Sequence, residues 1–249
     1  MTRPIEIEPD GSDDIRERLI RRFEELRGTT WRHQLRFHSK RLLWVAVVQG
    51  SYLLKRALDA LGSAALLLIL SPALIGIGIA IRLDSPGPIL FRQTRVGRYG
   101  QYFAMWKFRS MYIDAEARKQ ALMAQNKMAG GVLFKMKNDP RITRVGKFIR
   151  RASIDELPQL WNVLRGDMSL VGPRPALPSE VNQYSPAERR RLEVIPGITC
   201  IWQVSGRSDI PFDQQVHLDV EYIESQSLWL DIKLLLLTVP AVLLGKGAY

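Results

Sequence analysis

The chain has 249 residues, a formal net charge of +11 and a single cysteine, Cys200. That length allows one real hydrophobic core, or one domain with attachments. The charge points to a polyanionic partner such as nucleic acid, anionic lipid or a phosphorylated substrate, and the lone cysteine excludes an intramolecular disulfide and suits a reducing compartment. The three histidines, His33, His38 and His217, lack metal-ligand spacing, so no zinc site is expected. There is no internal repeat and no glycine-rich phosphate loop of the GxxxxGK type.

In chain order, residues 1–40 read as a charged extension, too polar for a cleavable leader. Within it Ile15, Leu19, Phe23 and Leu26 form a helical stripe that suits a partner or an interface better than a catalytic site. Residues 41–82 read as a membrane-associated segment. The run 60–81, "ALGSAALLLILSPALIGIGIAI", carries no charge and as a helix reaches roughly 33 Å, enough to cross a hydrocarbon core of ~30 Å. Pro72, after Ser71, removes a helical hydrogen bond near its middle. Lys40, Arg41, Lys55 and Arg56 lie before the run, and Arg82, Arg92, Arg95 and Arg98 lie after it. Positive charge marks the cytoplasmic side, so both flanks claim the same face. Two readings stay open from these residues: a spanning helix, and a re-entrant helix broken at Ser71–Pro72.

Residues 83–249 read as a domain of frequent turns and short elements. "DSPGPILF" is a turn leading into a strand, "MWKFRSM" (105–111) alternates like a half-buried strand, and 112–129 reads as helix. The run 228–244 is apolar but holds Asp231 and Lys233, which suits an interfacial or docking helix. The expected class is α+β, mainly helical: an N-terminal membrane-associated segment, then a domain with short strands and interfacial amphipathic helices.

The stretch "RRASIDELPQLWNVLRGDMSLVGPRP" (150–175) sets Asp155 and Glu156 beside five basic residues, Arg141, Arg144, Lys147, Arg150 and Arg151. Ser153 and Glu156 fit a capping box, and Asp155 fits an N-cap with Pro158 in the first turn. A chemical reading also fits. Helix N–H groups and arginines grip phosphate, and a carboxylate there can hold Mg²⁺ or attack phosphorus.

"SPGPILFRQTRVG", "KFRSM", "SIDELPQLWNVLRGDMSLVGPRP", "PGIT", "QVSGR" and "LDVEYI" occur in this order, and across about 52–249 the chain resembles the bacterial sugar transferase family, the monotopic phosphoglycosyl transferases. The resemblance implies transfer of a sugar 1-phosphate from a UDP-sugar to undecaprenyl (polyprenol) phosphate with release of UMP. This is the initiating step of exopolysaccharide or other surface glycan assembly. It implies Asp155 as nucleophile, through an aspartyl-phosphosugar intermediate, with Glu156 as its partner and Mg²⁺ at Asp155. Arg150 and Arg174 become phosphate-binding candidates, with Lys107, Arg109, Arg207 and Asp219 as further substrate-binding candidates. Lys55, Arg56 and Asp59 either anchor the hairpin or meet the polyprenol phosphate, and Ser71 and Pro72 mark a re-entrant break. The bilayer is an expected partner, nucleic acid is not, and a homodimer stays open. The expected location is the bacterial inner membrane, with the catalytic domain on its cytoplasmic face. Residues before 52 are expected to lack the further spanning helices and regulatory domain of larger family members. Cys200 stands where the family usually has glycine, which would strain the loop if that position needs a positive φ. The alternatives are a sugar-only transferase releasing UDP and a non-catalytic, membrane-tethered, polyanion-binding protein.

Overall fold

The computed structural model describes residues 17–18, 21, 30–115, 117–118 and 139–244, with the side chains of 30–48, Ser208, Leu243 and Leu244 outside the description. The chain divides into two units, Met1–Leu53 and Leu54–Tyr249. In the first, the described residues are helical, and Arg21 pairs with Glu17 one turn away. The expected stripe at Ile15, Leu19, Phe23 and Leu26 lies outside the described residues.

The long helix α1, Thr30–Asp84, enters the second unit and contains Pro72. Its segment Gln49–Asp84 is long and apolar enough to cross a membrane. The helix does not end at Ser71–Pro72, where the sequence suggested a break: the helical assignment is continuous through both residues. Ser71 Oγ donates to the carbonyl of Leu68, one of the ways a helix accommodates proline. One face of this helix is covered, and the other exposes Leu68, Ile69, Ile75 and Ile79.

After a turn at Ser85–Gly87 come strands β1 (Leu90–Val96) and β2 (Tyr102–Phe108), an antiparallel hairpin in which Leu90 faces Phe108 and Val96 faces Tyr102. Both predicted strands are present. The second ends before Arg109, whose guanidinium turns back to cap the end of α1 by donating to the carbonyls of Ser85 and Pro86 and to Ser85 Oγ. The helix expected over 112–129 begins at Ala115, and beyond Arg118 it lies outside the described residues.

Helix α2 (Arg144–Arg151) is capped by Thr143, whose Oγ1 accepts from Gly146 N at 2.9 Å. The next amide, Val145 N, donates to Asp84 Oδ2 at 3.0 Å. A Cβ on Gly146 would lie 2.0 Å from the Ser110 carbonyl oxygen, so only glycine lets α2 pack this close. Helix α3 (Gln159–Arg165) ends at Gly166 in the left-handed region, and Arg56 covers its last carbonyls at Val163 and Leu164.

Strands β3 (Ser169–Val171) and β4 (Gly197–Thr199) pair in parallel. This pairing brings "GPRP" and "PGIT" side by side. A Cβ on Gly197 would lie 2.0 Å from Gly172 N, so the two backbones touch where a side chain cannot fit. Helices α4 (Pro178–Val181), α5 (Ile201–Ser205), α6 (Phe212–Ser225) and α7 (Leu228–Leu244) complete the unit. The main core gathers Met105, Leu160, Val163, Met168, Val171, Tyr222 and Leu234. A smaller cluster, Ile81, Phe108 and Ile149, has Leu74, Ile77, Val145 and Ile154 packed against it. On α7, Asp231 and Leu234 point inward while Trp229, Leu236 and Val239 are exposed. Helix α7 therefore has an apolar outer face and a polar inward anchor.

Candidate active site

Asp155 and Glu156 lie in a short 3-10 turn, Ile154–Glu156, between α2 and α3. The residue before it, Ser153, has φ 53°, the left-handed region, and its side chain caps nothing. Neither the capping box nor the Asp155 N-cap forms. The reason is local: the chain must reverse between α2 and α3, and the left-handed turn at Ser153 takes its side chain out of capping geometry. Such strain in a non-glycine residue costs of order 1 kcal/mol and concentrates at functional sites.

The turn separates two adjacent carboxylates into different surroundings. Glu156 Oε1 accepts from Lys107 Nζ at 2.7 Å and from Arg174 Nη2 at 2.8 Å. Lys107 comes from β2 and Arg174 from the "GPRP" turn after β3, so three separate segments meet on one oxygen. Burial would raise the Glu156 pKa, but the charges and hydrogen bonds of Arg174 and Lys107 outweigh it and hold the acid well below the usual range. Burial in turn pushes Lys107 down, against the pull of Glu156. Arg174 is raised, chiefly by Glu156.

Asp155 accepts no hydrogen bond among the described residues. Burial, and then the charge of Glu156, push it up to about 6, against Lys107, Arg150 and Arg174. The result is a carboxylate ionised at neutral pH, surrounded by cations and not tied down by any of them. Glu156 is the one that organises those cations.

Two more arginines belong to this neighbourhood. Arg207 holds φ 54° in the "SGR" turn and makes no side-chain hydrogen bond among the described residues. Burial lowers it, and it feels both Glu156 and Arg174. Arg95 was read from the sequence only as a flanking charge. It donates to the Pro175 carbonyl at 3.0 Å and to Gln93 Oε1, and burial followed by Arg174 lowers it to about 10. It therefore braces the turn that carries Arg174. The only advance signal was its place in "FRQTRVG".

Other candidates are engaged elsewhere. Arg109 is committed to the Ser85–Pro86 turn. Asp219 is fully buried and accepts from Arg191 Nε at 2.7 Å and Nη2 at 2.6 Å; burial raises it to about 6 against that pairing. Lys55 pairs with Asp231 and donates to the Val171 carbonyl, while Asp59 accepts from Ser169 Oγ at 2.7 Å and Leu170 N at 3.1 Å. With Arg56 they fasten α1 to the core, which is the anchoring alternative. Cys200 has φ −151°, extended backbone that any residue adopts, so cysteine in place of glycine brings no backbone strain there. Its thiol is buried and donates to Gln203 Oε1.

Asn162 escaped the sequence reading altogether. Its Oδ1 accepts from Trp106 N at 3.0 Å and its Nδ2 donates to the Ala104 carbonyl at 2.8 Å, so one side chain extends β2 as a further strand would. That fixes the strand immediately before Lys107.

Among the described residues no group of three or more His, Cys, Asp or Glu could hold a metal. A single carboxylate lacking a hydrogen bond, beside a second one, still suits Mg²⁺, which commonly takes one or two carboxylates and completes its shell with water and substrate phosphates.

The family model described as "Bacterial sugar transferase" matches residues 50–245. The chain is 46% identical over 245 residues to the galactosyl transferase CpsE of Streptococcus agalactiae serotype III, covering 98% of this chain and 52% of that protein. It is 44% identical over 204 residues to the undecaprenyl-phosphate galactose phosphotransferase of Salmonella typhimurium, covering 81% and 43%. It is 37% identical over 198 residues to the exopolysaccharide production protein ExoY of Rhizobium meliloti, covering 78% and 88%. The chain thus spans about half the length of the first two relatives and most of the length of the third. With the match running from Gly50 through α7 and enclosing Asp155, Glu156 and their cations, this chain belongs to the bacterial sugar transferase family.

Proposed function

We propose that this chain transfers a sugar 1-phosphate from a UDP-sugar to undecaprenyl phosphate, releasing UMP, as the initiating step of a surface polysaccharide. The observation that carries this reading is the split between the two carboxylates: Glu156 locked by Lys107 and Arg174, Asp155 ionised and available.

In the first half-reaction a carboxylate oxygen of Asp155 attacks the β-phosphorus of the donor. The P–O bond to UMP breaks and UMP leaves with that electron pair. In the second, a phosphate oxygen of the acceptor attacks the same phosphorus, the Asp155–phosphorus bond breaks, and the carboxylate is regenerated. An anion attacking a diphosphate meets ~4 kcal/mol of repulsion per like pair at 4 Å and an effective dielectric of 20. Arg150, Arg174 and Arg207 offset that by pairing with phosphate oxygens. Asp155, with Glu156 adjacent, would hold Mg²⁺, which when bound would help neutralise the diphosphate.

The acceptor is a membrane lipid, so the chain must sit at a bilayer. Near one end of the apolar part of α1, Lys55, Arg56 and Asp59 bond to α7, α3 and β3, and at its other end Asp84 accepts from α2. Two ends held by one soluble body suit a helix that enters and leaves through the same face, bent at Ser71–Pro72, with the catalytic domain in the cytoplasm against the inner membrane.

The test uses the purified chain in nanodiscs with Mg²⁺, undecaprenyl phosphate and a panel of UDP-sugars labelled in the β-phosphate. UMP release, and label on the protein that vanishes in Asp155→Asn, are expected. Release of UDP, or near-wild-type turnover by Asp155→Asn, would overturn the reading.

A further inference from the structure

This inference rests on the transferase reading and concerns a further residue that holds the donor's diphosphate. Arg95 lies opposite Phe103 in the hairpin, and Phe103 and Lys107 share one face of β2. Arg95 and Lys107 therefore point to the same side, the one on which Lys107 meets Glu156.

Elsewhere in the chain a buried guanidinium is compensated. Among the described residues three arginines are buried. Arg141 is paired with Asp139 at 2.6 Å and Arg191 with Asp219 at 2.6 Å. Arg109 sits on carbonyls at the C-terminal end of α1, where the helix supplies partial negative charge.

Arg95 has neither kind of partner. It is half-buried, and the groups it bonds are neutral. Its Nε and Nη2 donate to Gln93 Oε1 at 3.1 and 2.7 Å, and its Nη1 donates to the Pro175 carbonyl at 3.0 Å. Glu180, whose charge it feels, places Oε2 on the Leu177 amide instead. Burial, and then the charge of Arg174, press against its ionised form. A guanidinium carries five N–H groups, so these three bonds leave one on Nη1 and one on Nη2 without an acceptor. A half-buried cation with donors to spare and no carboxylate is balanced only when an anion arrives.

The surroundings say which part of the donor it meets. Asp155 feels Lys107, Arg150 and Arg174, whereas Arg95 feels Arg174, Glu180 and Glu156. Arg174 is common to both sets, and Arg95 bonds the residue after it, on the side away from the attacking carboxylate. With the β-phosphorus at Asp155, the next phosphate outward is the α-phosphate.

We propose that Arg95 is a donor-binding residue whose free N–H groups take a non-bridging oxygen of the α-phosphate of the nucleotide diphosphate. When the bond to the β-phosphorus breaks, that phosphate becomes the end of UMP and gains charge. The contact therefore strengthens toward the transition state.

The experiment uses the whole chain in nanodiscs and the two α-thio diastereomers of the UDP-sugar, in which sulfur replaces one or the other non-bridging oxygen. With the ordinary donor, single-turnover labelling should slow by about tenfold or more in Arg95→Gln, as for a lost hydrogen bond to a charged group. The wild type should prefer one diastereomer, and Arg95→Gln should bring that preference within about twofold. Arg95→Lys, which keeps the charge, should recover part of the rate. A residue that only braced the Arg174 turn would slow both diastereomers alike. An unchanged preference, or none in the wild type, would therefore overturn the proposal.

A second measurement needs no variant. UMP should shield Arg95 of the wild type from phenylglyoxal, read by mass spectrometry of its peptides, and uridine should not. Arg92, on the other face of β1 and stacked on Trp106, should react equally in both cases. Arg95 reacting equally with and without UMP, or not reacting at all, would also overturn the assignment. Failure of the wild type to label from any UDP-sugar would instead overturn the transferase reading. The shielding is read without turnover, so the two failures are told apart.

Discussion

Asp155 and Glu156 are neighbours in the chain and opposites in environment. Lys107 and Arg174 converge on Oε1 of Glu156, and Asp155 stands beside them accepting no hydrogen bond among the described residues. The two cations hold Glu156 down against its burial, while burial, and then the charge of Glu156, drive Asp155 up.

The first consequence is a pH dependence. In the proposed mechanism Asp155 attacks as the carboxylate, and burial, followed by the charge of Glu156, raises its acid from the ordinary 3.8 to about 6. The donor half-reaction should therefore fall off on the acid side with a midpoint near 6, read from single-turnover labelling. The sign for stability is opposite. Between 3.8 and about 6 the folded chain binds more protons than the unfolded one, so stability declines as pH rises through that window. At neutral pH the ionised Asp155 is a cost, and Asp155→Asn should raise Tm by a few degrees while abolishing turnover. A lowered Tm in that variant would contradict this account.

Removing Glu156 should be far more damaging to the fold. Glu156→Ala leaves Lys107 and Arg174 mostly buried without their shared anion, and breaking such a group typically costs about 3–5 kcal/mol. Chemical denaturation should register a loss of that order. Glu156→Gln keeps an acceptor for the two cations and removes the charge that helps push Asp155 up, so the acid limb of its labelling profile should move below that of the wild type. An unshifted limb would show that Glu156 does not set the Asp155 pKa.

The glycines of the paired motifs make a third expectation. Gly197→Ala sets a Cβ 2.0 Å from the Gly172 backbone nitrogen, where nothing flexible can yield, and should cost about 3 kcal/mol and disturb the Arg174 turn. Gly50→Ala, in a helix with nothing within 4 Å, should instead stabilise by roughly 0.5–1 kcal/mol. Thermal melts of the two variants would separate a glycine required by contact from one that is only permissive.

Much of the site was legible in the sequence because its chemistry is local. Asp155 and Glu156 are adjacent, "GPRP" carries its own turn, and the alternation around Lys107 marks a strand. What binds them together was not legible. Nothing in the spacing says that Lys107, from a strand 49 residues upstream, shares one oxygen of Glu156 with Arg174. Asn162 reads as an ordinary helix residue, yet it completes β2, since a side-chain amide can imitate a backbone only when the partner edge is nearby. Asp219 and Arg109 became candidates through the motifs "LDVEYI" and "KFRSM", and in the structure Asp219 is paired with Arg191 while Arg109 caps the end of α1. Asp59 shows the same limit: with Lys55 and Arg56 it was open to anchoring or to ligand contact, and here it accepts from Ser169 Oγ and the Leu170 amide.

The two-ended fastening of α1 carries a mechanical consequence. Asp59 fixes one arm through β3, and Asp84 fixes the other through the first turn of α2, the helix that runs into the Ser153 turn. Neither arm can slide without carrying the reactive carboxylate with it. On the proposed seating at a bilayer, the height of Asp155 relative to a lipid headgroup is set by the protein's own frame, and a thicker or thinner bilayer would shift the whole unit and leave its internal spacing unchanged.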